Sequence, residues 1–191
     1  GPTLVALSSE SFSLVALAAA LFHTMIHALL KALLFLGAGS VVGATGTRNM
    51  EHYGGLIRLM PYTAFFFLLG SLAISAFPPF NGFASEWLTF QALFVGIGST
   101  SVLVKSVFIF AIASLAFTGG LAAACFVKAF GTTFLARPRY QSEKPVMESG
   151  LSMLVAMGIL AILTLVFGIF STVVIAALVA IVASIGLVDP L

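Results

Sequence analysis

Charge is scarce in this chain. Asp, Glu, Lys and Arg make up 7% of its 191 residues, where a soluble domain carries about 25%. So few charges cannot clothe the surface of a water-soluble fold, which excludes the soluble classes. Cysteine is rarer still. Cys125 stands alone in an apolar run, so an internal disulfide and a four-thiolate metal site are both excluded. It reads as a small buried apolar residue. One thiol cannot hold an iron–sulfur cluster and no flavin motif is present, so no cofactor is expected in this chain. A net charge of +2 gives no sign of a nucleic-acid partner, and none is expected. Residues 1–12 lack the basic start and cleavage site of a signal peptide. No initiator Met precedes Gly1, and the ending Asp189-Pro190-Leu191 has no polar tail. A piece of a longer membrane protein is therefore expected.

Apolar residues are what the chain has instead. They make up 61% of it, and the mean hydropathy is +1.20. The apolar runs are long and continuous, unlike the short alternating segments of a membrane barrel. A helical span takes about 20 such residues, so the length allows roughly five to seven spans. The expected fold is all-α, a polytopic transmembrane helix bundle of about five to six spans, read as a single membrane domain over 1–191. Helices are expected over about 13–42, 61–77, 83–96, 103–134 and 151–170. A further segment, 172–188, suits a second span, a half-span or an interfacial helix. Pro61 falls where a helix accepts proline, in its first turn. Pro78 and Pro79, followed by Phe80-Asn81-Gly82, remove two donors and break the helical path, so one discontinuous segment is expected at Pro78–Gly82.

Two polar segments interrupt the apolar runs. Gly43–Leu59 holds Arg48, Glu51, His52, Arg58 and glycines suited to tight turns or a small hairpin. Ala136–Ser149 holds Arg137, Arg139, Glu143, Lys144 and Glu148. If each of the first five helices crosses once, the two segments lie on opposite sides. Three basic residues against two then place 136–149 in the cytoplasm and 43–59 in the periplasm.

The ionisable residues inside the apolar runs carry the functional argument. His23, His27 and Lys31 recur every fourth residue in FHTMIHALLKALLFLGAGS. Each step turns only about 40° and climbs about 6 Å, so the three form one stripe about 12 Å long. Ionisable side chains at mid-bilayer cost several kcal/mol, so such a stripe faces other helices or water, not lipid. Histidine changes charge near neutral pH at little cost. A row of this kind can pass a proton in small steps where water fills the gaps. Hydrogen-bonded packing and zinc chelation by the histidine pair are the alternatives, though no carboxylate or thiol on this helix completes a metal site.

Glu86 follows the Pro78–Gly82 break in GFASEWLTF. Broken helices at membrane depth line cavities and mark ion sites. The free amides and positive end of a restarting helix would stabilise a carboxylate there, with Lys31 a candidate counter-charge. Alternatively Glu86 lies near the interface, with Trp87 as an aromatic anchor. Lys128, in GGLAAACFVKAFGTTF, is a further relay candidate or a snorkelling residue. Snorkelling is the expectation for Lys105. Glu10, Glu148 and His52 read as solvated. Gly37, Gly39, Gly119 and Gly120 permit close helix approach.

The runs FHTMIHALLKALLFLGAGSVV, ATGTRNMEHYGGL and MPYTAFFFLLGSLAISAFPPFNGFASEWLTFQALF resemble the antiporter-like proton-translocating membrane subunits. That family comprises the large membrane subunits of respiratory complex I, the Mrp-type cation/proton antiporters and the membrane arms of group 4 hydrogenases. ATGTRNMEHYGGL, SEWLTFQALF and FTGGLAAACFVKAFGTTFLARPR point to the hydrogenase members. The resemblance covers roughly residues 13–170. It implies two inverted repeats, with this chain the second repeat without its first helix. It assigns the central proton row to His23, His27 and Lys31, and the ionisable residue of the discontinuous helix to Glu86. Lys128 matches a basic position by local similarity. Gly43 departs from the hydrogenase pattern, which places a histidine after GSVV. The resemblance further implies a hairpin outside at 43–59, residues 136–149 inside, other membrane subunits and a peripheral redox arm as partners, and a bacterial inner membrane. Redox chemistry would lie in that arm. A cation/proton antiporter, a non-conducting membrane anchor and a metal transporter using His23 and His27 are the rival readings.

Overall fold

A computed structural model describes residues 2–98, 101–137 and 145–184, with side chains from residue 14 onward. Arg139, Glu143, Lys144 and the ending at 189–191 therefore lie outside the described residues, as does the side chain of Glu10. The described residues are mostly helical, with no strand among them. Six α-helices follow in order: α1 (Pro2–Thr45), α2 (Pro61–Ile74), α3 (Asn81–Gly96), α4 (Val102–Phe130), α5 (Leu151–Ile169) and α6 (Ser171–Ser184). Three are long and apolar enough to cross a membrane: Leu14–Thr45 of α1, Val102–Leu135 from α4 onward, and α5. The shorter α2 and α6 are apolar as well.

α1 is the central helix, packing against α2, α3, α5 and α6. α2 starts with Pro61 in its first turn, where the missing donor costs nothing. It runs antiparallel to α1: a Cβ on Gly37 would meet Phe67, and one on Gly70 would meet Leu34 and Leu33. Ala76, in the left-handed region at φ 54°, and the cis Pro78-Pro79 bond mark the break. α3 then continues along α1 in the same sense. His23 bonds Ser85, and Ala16, Ala19 and Ala20 share a cavity with Thr89, Ala92 and Leu93. α2 and α3 are thus two halves of one crossing.

That geometry corrects the expected sidedness. With α2 and α3 making one crossing instead of two, the described residues of both polar segments, 43–59 and 136–137 with 145–149, fall at the same end of the bundle. A Cβ on Gly54 would lie 2.6 Å from the Arg137 carbonyl oxygen. Tyr53 shares a buried cluster with Val41, Leu56 and Phe134. The Glu148 carboxylate accepts from the Tyr62 amide at 2.9 Å and from the buried Thr63 hydroxyl at 2.6 Å. Glu148 is therefore a cap on the start of α2, not the freely solvated residue expected. The 43–59 segment forms two 3₁₀ turns, Met50–His52 and Leu56–Arg58, instead of a hairpin. Asn49 caps the first by accepting from the Glu51 amide, and His52 is exposed as expected.

α4 returns toward that end and finishes in a π turn, Gly131–Leu135, closed by the Ala136 amide on the Gly131 carbonyl at 2.8 Å. No residue of α4 itself is buried. α5 packs Met157 and Ala161 on Leu33 of α1. After an interruption at Phe170, α6 carries Val174, Ile175 and Leu178 alongside Phe22 and Ile26, farther along α1. The second broken path touches the first: Gly168 lies against the backbone of Pro79, Phe80 and Asn81.

Candidate functional site

One cavity collects the residues that the helical spacing singles out. It measures about 310 Å³ and is lined from α1 by His23, His27 and Lys31, from α3 by Gly82, Ser85 and Glu86, and from α4 by Thr118 and Gly119. A space of that size has room for on the order of ten water molecules. Glu86 is 63 residues from His23 in sequence and on a different helix, so only packing brings them to one space. In this chain His23, His27 and Lys31 are exposed and Glu86 is half-buried, so the cavity is a groove open on one side.

Each wall has a local cause. On α1 the fourfold spacing alternates with a buried apolar stripe, Phe22, Ile26, Leu30 and Leu33. That stripe packs on other helices and leaves the polar stripe facing the groove. The rings of His23 and His27 stack with centroids 5.6 Å apart and an interplanar angle of 23°. His23 Nδ1 lies 2.9 Å from the Ser85 hydroxyl, which ties the α1 row to α3. On α4, Gly119 makes room for the carboxylate: a Cβ there would lie 2.9 Å from Glu86 Oε1.

Lys128 does not line this cavity; it is exposed in the last turn of α4, and its carbonyl accepts from Thr132 Oγ1. The restarting helix does not hold Glu86 in its first turn, where no acidic residue occurs. Helix-end stabilisation falls off within a turn, so the positive end of α3 contributes little at Glu86. Sequence reasoning missed Ser85, which is 1% exposed. A signal was present: Asn81, Ser85 and Thr89 recur every fourth residue on α3, the same period as the α1 row.

The described residues thus form a polytopic membrane helix bundle with a broken crossing and titratable side chains gathered around one cavity. The chain belongs to the NADH:quinone oxidoreductase/Mrp antiporter transmembrane family, whose model matches residues 1–128. It is similar to hydrogenase-4 component B of Escherichia coli, 46% identical over 165 residues, covering 85% of this chain and 25% of that protein. It is also similar to formate hydrogenlyase subunit 3 of the same organism, 37% identical over 169 residues, covering 88% of this chain and 28% of that protein. The likeness to hydrogenase members expected from the loop and helix motifs is thus borne out. Among solved structures, the Mrp complex from Dietzia sp. DQ12-45-1b matches with a TM-score of 0.75 at 19% identity, covering 93% of this chain and 39% of that one. The chain spans about a quarter of the length of the two E. coli relatives. It is a multi-pass membrane protein of an antiporter-type subunit family.

Proposed function

We propose that this chain forms the proton-translocating part of a membrane subunit in a redox-driven complex of the hydrogenase-4, formate hydrogenlyase or NADH:quinone oxidoreductase type. The observation that carries the reading is the single cavity around His23, His27, Lys31 and Glu86. Its water and side chains supply a row of sites spaced about 6 Å along α1. Ser85 and Glu86 close the row from α3, and proton occupancy passes between neighbours. Electron transfer in a peripheral arm would shift the charge balance around the row. On this reading the redox centres belong to that arm.

The basic residues of the two polar segments support one orientation. Arg48, Arg58, Arg137, Arg139 and Lys144 fall in the two polar segments, whereas Lys105 is the basic residue near the opposite end. On this reading that excess favours the cytoplasm for both segments, with the chain in a bacterial inner membrane. A second reading, a cation/proton antiporter subunit, is favoured by the family description, which covers Mrp antiporters too.

The test uses the full-length subunit in its native complex, reconstituted in sealed vesicles. Glu86→Gln and Lys31→Met are expected to lower proton translocation per electron transferred at least tenfold while the complex still assembles. Translocation at the wild-type level in both variants would leave only an anchoring role. Strict dependence on added sodium without a redox substrate would favour the antiporter.

A further inference from the structure

Asn81 is the most conspicuous polar residue outside the row. It opens α3 immediately after the Pro-Pro break and is 0% exposed. Neither its Oδ1 nor its Nδ2 has a hydrogen-bond partner among the described residues. A buried amide without partners costs roughly 1–3 kcal/mol, so a residue of this kind is retained where something satisfies it. The two orphaned atoms are of opposite kinds, one an acceptor and one a pair of donors. A bare cation satisfies only the first and an anion only the second; water satisfies both.

The surroundings favour water as well. Pro78 and Pro79 have no amide hydrogens, so the backbone carbonyls they would serve in a continuous helix, those of Ile74 and Ser75, lose their donors. Ile74 lines the cavity of the row. Viewed down α3, Gly82, Ser85 and Glu86 face that cavity, while Phe83, Ala84 and Trp87 face a second one of about 350 Å³. The second cavity also carries Gln91, Ser171 and Thr172 and is walled by Pro78 and Pro79. By the 100° turn per residue, Asn81 falls on the edge between the two faces.

We propose that Asn81 is a hydration site that holds water in the helix break and joins the Glu86 cavity to the second cavity beside Gln91, Ser171 and Thr172. The amide orients the water and does not itself take up the proton. A proton arriving from Glu86 bonds to one side of the held water as another leaves the far side, so the break becomes a lateral branch of the row. This inference rests on the proton-translocation reading above.

The test replaces the amide by an apolar group of similar volume, Asn81→Leu, in the full-length complex in sealed vesicles, with Glu86→Gln alongside. Asn81→Leu is expected to lower proton translocation at least fivefold while thermal stability stays the same or rises, since no buried amide is left to satisfy. Wild-type translocation in Asn81→Leu together with loss in Glu86→Gln would overturn the hydration branch and leave the row standing. Wild-type translocation in both would sink the parent reading. Should Asn81→Leu not assemble, a high-resolution map of the wild-type complex decides. Water density within hydrogen-bond distance of both amide atoms supports the site; none there, in a map that shows other internal waters, overturns it.

Discussion

The contact between the two broken helices can be tested with a single methyl group. A Cβ added at Gly168 would lie 2.6 Å from the Asn81 nitrogen and the Phe80 carbonyl carbon, and closer still to the Pro79 oxygen. All three are backbone atoms, so no side chain can swing away. Ordinary contact begins at 3.4 Å, so Gly168→Ala must open the gap between α5 and the break by about 0.8 Å at the Asn81 nitrogen and by more at the Pro79 oxygen. Overpacking of that kind costs about 1–3 kcal/mol. The displacement acts on the first turn of α3, one turn before Ser85, whose bond to His23 measures 2.9 Å. A shift near 1 Å at a catalytic constellation can cost about a hundredfold in rate. The variant complex is therefore expected to show a lowered thermal transition by differential scanning fluorimetry and proton translocation reduced severalfold or more. Gly120→Ala is the matched control: nothing lies within 4 Å of its Cβ, and a helical Gly→Ala change gains up to about 1 kcal/mol. A Gly168→Ala complex with wild-type melting and wild-type translocation would refute the argument that the two breaks brace each other.

Other outcomes follow from the shared end of the bundle. Glu148→Ala removes the acceptor for the Tyr62 and Thr63 amides and the Thr63 hydroxyl; the fully buried Thr63 makes the loss cost about 1–3 kcal/mol, read as a lower melting temperature of the complex. In a Cys125→Ser background, His52→Cys and Met147→Cys, both exposed, should react with an impermeant maleimide from the same side of sealed vesicles; labelling from opposite sides would contradict the single α2–α3 crossing. Burial pushes the Tyr53 phenol above its ordinary value, partly offset by its hydrogen bond with Thr133. The folded state thus favours the protonated phenol. Its stabilising contribution holds below the ordinary value and is lost as pH rises past about 10 toward the raised folded value. Melting curves across that range should steepen their decline for the wild type and flatten for Tyr53→Phe.

The one-dimensional pattern settled what depends on neighbours along a single helix. The scarcity of charge and the unbroken apolar runs determined an all-α membrane bundle, because backbone polar groups in hydrocarbon must bond within their own segment. The fourfold spacing of His23, His27 and Lys31 determined one polar stripe, because the helix turns 100° per residue. Pro78-Pro79 determined the break. Tertiary structure decided everything that depends on one helix meeting another. It showed that α2 and α3 share a crossing, so that the segments expected on opposite sides meet at Gly54 and Arg137. It set Ser85 against His23, left Lys128 outside the cavity and laid Gly168 against the break. A proline pair marks where a helix stops but carries no information on whether the chain turns back or continues. Only side-chain packing between helices distant in sequence fixes that direction, and with it the residues that come to share a cavity.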